Sequence, residues 1–277
     1  DVTTPAADDA ARPVLCWIHG GAFTIGSGND YPAAALAGRN DIVVVTVNYR
    51  LGLLGFLDVS GLDASYAGSA NNGIADQIAA LGWIHDNIAD FGGDPGNVTI
   101  AGESAGAISV MALLASPAAD GLYARAVACS AGGFRSEPVD LVPVIDPLLP
   151  GEGPLLDRLL AATTDDLLAA QAACGFGLGS AIDGTVVTRT MDDAVAQRSA
   201  AGVPLVIGSN ADEGTLFYGV AGMDAAIFDL MTSALPAAIT KGASEERYRA
   251  LLAEARPDED PVATNLRIWN QFFRRPA

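Results

Sequence analysis

The chain has 277 residues, half of them hydrophobic, with a formal net charge of −18 at pH 7 and a pI near 4.2. That length and apolar content suffice for a large core and predict a globular protein of one or two domains. So strong an acidic excess argues against nucleic acid as a partner, because that binding rests on lysine and arginine neutralising phosphates, and it disfavours anionic membranes likewise.

No run is long and apolar enough to span a bilayer, and no basic-plus-apolar leader opens the chain, so compartment stays open, as does oligomeric state. Three cysteines, Cys16, Cys129 and Cys174, cannot all pair. The first two lie in apolar strand-like runs, so free buried thiols are expected rather than a disulfide framework.

In chain order, the first apolar run, Val14 to Ile18, reads as a buried strand and leads into His19, Gly20, Gly21 and Ala22. Ile42 to Tyr49 reads as a second strand. Ile74, Ile78, Leu81, Ile84 and Ile88 then recur at helical spacing, with Asn72 and Gly73 before them and Gly92 and Gly93 after. Val98 to Ala101 is a third strand and Ala107 to Ala115 a helix. Tyr123 to Cys129 and Leu205 to Gly208 complete the strands. Residues 137–180 are expected as a loop or lid region, most clearly the proline-rich stretch Glu137 to Gly153. Later helices are expected over Asp192 to Ala200, Ser244 to Ala255 and Ala263 to Phe273. Strands alternating with helices predict an α/β protein, a mostly parallel sheet with helices on both faces, in a single domain over 1–277 without repeats or linkers.

Between the third strand and its helix lies GESAG, Gly102 to Gly106. A serine on a sharp strand-to-helix turn needs neighbours with little or no Cβ, and Gly102, Ala105 and Gly106 supply them around Ser104. The amide of Ala105, in the first helical turn, points where a tetrahedral intermediate would carry its negative oxygen. A serine nucleophile needs an imidazole to take its proton and a carboxylate to orient that imidazole. Asp212 and Glu213, just beyond the last strand, are the acid candidates. The only histidines, His19 and His85, both precede Ser104, and none follows the acid. His19 reads as structural, beside the glycines, and His85 as a polar helix position. Asp183, before Gly184, reads as a turn former.

These residues carry a resemblance. WIHGGAF from Trp17, VNYRLGLLGFL from Val47, NNGIADQIAALGWIHDNIADFGGDPGNVTIAGESAG from Asn71 and GSNADEGTLF from Gly208 resemble the type-B carboxylesterases, which include the cholinesterases and bacterial para-nitrobenzyl esterases. The resemblance covers Pro13 to Ser130 and Ala181 to Phe217. It implies an α/β-hydrolase fold, incomplete at both ends, and hydrolysis of a small-molecule carboxylic ester through an acyl-serine intermediate, without metal or organic cofactor. It implies that Ser104 is the nucleophile, that Glu213 rather than Asp212 is the acid, and that the amides of Gly21, Ala22 and Ala105 form the oxyanion hole. The family histidine would lie beyond Ala277, making this the central part of a larger enzyme. The rival expectation is a non-enzymatic binding or adhesion member of the same family, which the presence of Ser104 and Glu213 weighs against. By the same resemblance Arg50 and Asp76 form a structural salt bridge, Ser130 hydrogen-bonds behind the nucleophile, and Glu103 either steers a cationic substrate, holds water or supports the elbow.

Overall fold

Five β-branched residues in succession, Val43–Val47, suit a strand covered on both faces, and they form β3, buried along its whole length. The structure is a computed structural model that describes residues 1–132, 137–197, 202–220, 228–229, 232, 245–257 and 259–274. Strand β1 (Val2–Thr3) pairs with β3 antiparallel. On the other side β2 (Arg12–Ile18) runs parallel to β3, in register from Val14 opposite Val43 to Ile18 opposite Val47. The parallel β4 (Gly93–Glu103), then β5 (Arg125–Cys129) and β6 (Leu205–Gly208), follow in the sheet order β1-β3-β2-β4-β5-β6. The bonds Ala126 N to Pro204 O and Ser130 N to Gly208 O advance together along both strands, the sense of a parallel pair.

The chain divides into two compact units, one of Asp1–Ala128 with Phe134–Val206 and one of Cys129–Gly133 with Ile207–Ala277. The first holds α1 (Ala34–Asn40), α2 (Gly52–Phe56), α3 (Asn72–Asn87), α4 (Ala105–Leu114), α5 (Val142–Ile145), α6 (Leu155–Ala161), α7 (Thr164–Gln171) and α8 (Met191–Ala196). Helix α3 follows the expected periodicity: Ile74, Leu81 and Ile84 are fully buried, and the 3-10 turn Ile88–Phe91 that continues it ends at Gly92, whose φ of 78° suits glycine. Burying each such side chain stabilises by about 1.5–3 kcal/mol. The buried Gln77 on the same face donates its Nε2–H to Ser109 Oγ of α4 at 3.0 Å, while its Oε1 has no partner among the described residues. Asn71, also buried, ties the start of α3 to Ser180 and Ala181, donating to the Ala181 carbonyl at 2.7 Å. Arg50 grips Asp76 bidentately, at 2.8 and 2.7 Å, forming the expected salt bridge.

The second unit contains a π-helical turn (Leu216–Val220), α9 (Glu245–Ala255) and α10 (Pro261–Arg274). Its core gathers Phe228, Trp269 and Phe273, with Tyr218, Leu266 and Phe272 against them.

Two expectations need correction. Glu137 to Gly153 is not all loop: α5 and a 3-10 turn, Asp146–Leu148, occupy part of it, because Leu141 and Ile145 are buried at helical spacing. The wider 137–180 stretch also carries α6 and α7. Cys129, expected to be buried, is exposed at the end of β5, while Cys16 and Cys174 are buried, and all three thiols are free. Residues 198–200 and 244 of the later expected helices lie outside the described residues.

Candidate active site

Strand β4 ends at Glu103 and α4 begins at Ala105, leaving Ser104 to make the whole turn, with φ 55° and ψ −121°. A side chain at positive φ costs on the order of 1–3 kcal/mol and persists only where its surroundings over-determine it. Here they do. A Cβ on Gly106 would overlap the Ile18 carbonyl and one on Gly102 the Gly106 backbone, so β2, β4 and α4 meet at a distance only glycine permits. Helix α4 is buried at every position except Ile108, which anchors the turn, and Ile108 N returns to Ser104 O at 2.9 Å. Ser104 itself stays half-buried, at the positive end of the α4 dipole.

The His19–Phe23 loop lies against this turn. A Cβ on Gly20 would stand 2.8 Å from the Glu103 carbonyl and 3.3 Å from Ser104 Cβ. Three successive residues then take positive φ: Gly21 at 113°, Ala22 at 53° and Phe23 at 61°. Left-handed backbone costs a residue with a side chain roughly 1–2 kcal/mol. Opposing that cost, the Thr24 and Ile25 amides both donate to Gly21 O at 3.0 Å, Gly52 N donates to Phe23 O at 2.7 Å, and the buried Phe23 ring meets Phe56 edge-on at 4.7 Å. Among the described residues the amides of Gly21, Ala22 and Ala105 have no protein acceptor. Strained backbone that presents amide donors beside a serine hydroxyl is a feature of anion-stabilising sites.

His19 is buried, and its Nδ1 lies 2.8 Å from Gly20 O; a carbonyl only accepts, so Nδ1 carries the proton, while Nε2 has no partner among the described residues. Its ring stacks on Tyr49 at 4.6 Å, and the Tyr49 hydroxyl donates to the His19 carbonyl at 2.8 Å. Burial, and then the neighbouring Tyr31, push the Tyr49 phenol well above its ordinary range. His85 is exposed on α3 beside Asp86. Asp183 accepts the amides of Thr185, Val186 and Val187, which makes it the expected turn former.

In the second unit the two acid candidates separate cleanly. Glu213 is only 5% exposed; its Oε1 accepts Ser130 Oγ–H and Asn210 N–H, both at 2.6 Å, and its Oε2 accepts Asn210 Nδ2 at 3.2 Å. Asp212 is exposed and holds Thr215, accepting its hydroxyl at 2.7 Å. The Ser130 hydroxyl thus donates to the carboxylate. Two partners were not read from the sequence, Asn210 and Asn270, the latter accepting the amides of Glu213 and Gly214. Asn210 had a local signal, since asparagine three residues before a glutamate is the spacing of a capping box, whose return bond it forms. Asn270 had none.

A parallel sheet that delivers a serine on a left-handed strand-to-helix turn, beside a glycine loop, is the α/β-hydrolase arrangement. Solved structures agree: a Geobacillus stearothermophilus carboxylesterase at pH 6.2 superposes with a TM-score of 0.82 and 37% identity, covering 99% of this chain and 59% of that one. A structure described as PNB esterase gives 0.76 and 36%, over 91% of this chain and 59% of its own. The chain belongs to the carboxylesterase family, whose model matches residues 1–140. It is 39% identical to the para-nitrobenzyl esterase of Bacillus subtilis over 234 residues, 79% of this chain and 47% of that protein. It is 35% identical to carboxylesterase 1D of Rattus norvegicus over 238 residues, 77% of this chain and 41% of that one. The chain thus spans about half the length of the curated relatives it matches. Among the described residues no helix is long and apolar enough to cross a membrane.

Proposed function

We propose that the protein is a serine-dependent hydrolase of small-molecule carboxylic esters. Ser104 attacks the ester carbonyl carbon and gives up its proton to an imidazole. The amides of Gly21, Ala22 and Ala105 hold the oxyanion of the tetrahedral intermediate. Collapse expels the alcohol, which takes the proton back, and water then releases the acid from the acyl-serine by the same steps. Glu213 orients the imidazole and stabilises its charged form. Neither histidine of this chain is taken as the base: His19 is 1% exposed, held through Nδ1 to Gly20 O and stacked on Tyr49, and His85 is exposed on α3 beside Asp86. On this reading the base is a histidine outside these residues, as the resemblance to the carboxylesterases implies.

One observation carries the reading: a serine held at φ 55° between two glycines that admit no Cβ, with Gly20 packed against it. The likeness to esterases supports the substrate class. The test is Ser104→Ala in the full-length protein, assayed on short para-nitrophenyl esters. Turnover should fall by about 10⁶, as for other serine triads, with the thermal transition preserved. Retention of more than a tenth of the rate would refute the assignment. An intact wild-type protein that turns over no ester would favour the binding-only alternative.

A further inference from the structure

We propose that Asn270 is a positioning residue that sets the direction in which Glu213 leaves its turn. The inference rests on the reading of Glu213 as the catalytic acid. Asn270 Oδ1 accepts two successive amides, Glu213 N–H at 2.6 Å and Gly214 N–H at 2.9 Å. Those amides belong to the two peptide planes that flank the Glu213 Cα. Holding both to one oxygen fixes the φ and ψ of Glu213, and with them its Cα–Cβ vector, while Ser130 and Asn210 pin the carboxylate at the far end. The side chain is gripped at both ends.

The clamp sits on a well-anchored element. Ile268, Trp269 and Phe273 bury one face of α10, Trp269 Nε1 donates to Thr232 Oγ1 at 2.9 Å, and the buried Asn265 donates to Asp229 at 3.1 Å. Close approach is built in: a Cβ on Gly214 would stand 3.0 Å from the Leu266 carbonyl and 3.1 Å from its Cα, so glycine lets the turn come down on the helix. Asn270 lies on α10 itself, one turn beyond Leu266, and can reach both amides from there. An ordinary capped turn would satisfy these donors with local side chains or water. Here the acceptor comes from a helix 57 residues away in sequence from Glu213.

The experiment compares Asn270→Leu and Asn270→Asp in the full-length protein, below the thermal transition of each. Hydrogen exchange of the peptide spanning 209–216 reads the clamp without any need for activity. Asn270→Leu should speed exchange there and lower kcat by about 10²-fold, the effect of a displacement near 1 Å, with KM within about twofold. Asn270→Asp keeps the two-amide acceptor but sets a carboxylate oxygen where Nδ2 faces Asp212 Oδ1 at 3.5 Å, and should recover kcat part of the way from the Asn270→Leu level. Its added charge beside Glu213 should move the acid limb of the kcat/KM profile to higher pH, because a nearby anion favours the protonated imidazole. Unchanged exchange in Asn270→Leu would overturn the clamp. Faster exchange with wild-type kcat and pH profile, or Asn270→Asp no better than Asn270→Leu, would overturn the positioning role. Retained activity in Ser104→Ala is a separate result: it would defeat the serine-hydrolase reading, whereas exchange still decides the clamp.

Discussion

Asp212 and Glu213 are neighbours with the same charge, and only their surroundings tell them apart. Glu213 is enclosed by donors from Ser130 and Asn210, whereas Asp212 faces outward and caps Thr215. Glu213→Gln keeps the size but removes the charge and sets an amide NH₂ against Asn210 Nδ2. It should lower turnover by about 10³–10⁴-fold, as loss of a triad acid does elsewhere. Asp212→Asn should leave kcat within about twofold and cost at most about 1 kcal/mol of stability through the weakened cap. Measured side by side on para-nitrophenyl acetate, with unfolding curves for each, comparable losses in kcat would leave the choice of Glu213 without support. From the sequence alone both carboxylates were candidates, because alternation along a chain says that adjacent side chains diverge but not which one meets a donor cluster.

The elements that position the site were legible where a local pattern determines them. Residues 205–208 form the strand read from their apolar run, α3 follows its isoleucine period, and GESAG sits on the predicted strand-to-helix turn. Reading failed where partners distant in sequence decide. Burial of Leu141 and Ile145 converts a proline-rich stretch into a helix, and the exposure of Cys129 reflects where β5 ends rather than its own hydrophobicity. Glycines show the same division. Gly106 and Gly82 both lie in helices, yet a Cβ on Gly106 would strike the Ile18 carbonyl while one on Gly82 would meet nothing within 4 Å. Gly82→Ala should therefore stabilise the protein by about 0.5–1 kcal/mol through helix propensity. Gly106→Ala should destabilise it by about 3 kcal/mol, the upper range for overpacking, since backbone atoms cannot move aside as a side chain can. Urea midpoints at pH 7 check both, and a destabilising Gly82→Ala would show that α3 packs more tightly than its geometry says.

Across the whole chain, 33 acidic residues against 15 basic ones suggest low pH as the main threat to stability. The described titrating groups point the other way. Hydrogen bonds hold the carboxyls of Asp8, Asp63 and Asp166 below their ordinary range, through Arg12, the Ser65 amide and Thr163, but all three lie at the surface, where solvent screens their contribution. Glu259, lowered beside Arg267 with its side chain 13% exposed, is the one lowered carboxyl that is largely covered among the described residues. The thiols and phenols shifted upward are buried. Burial pushes the Cys16 thiol from its ordinary 9.0 to about 12 and the Tyr123 phenol from 10.0 to about 12, and raises Tyr49 further. Each binds its proton more tightly in the native state than in the unfolded one, so its contribution is fully present below the unfolded value and is lost as pH climbs toward the folded one. Stability should thus hold nearly constant from pH 7 to 9 and then decline. Each further pH unit removes about 1.4 kcal/mol for every such group already ionised in the unfolded chain. Urea midpoints measured at pH 7, 9, 10 and 11 and constant ionic strength test this. In Cys16→Val the decline above pH 9 should be shallower but still present, because Cys174, whose thiol burial also raises from 9.0, continues to contribute. A wild-type midpoint unchanged up to pH 11 would mean that these side chains reach solvent in the native protein, and would contradict the closed packing around β2 on which the serine turn depends.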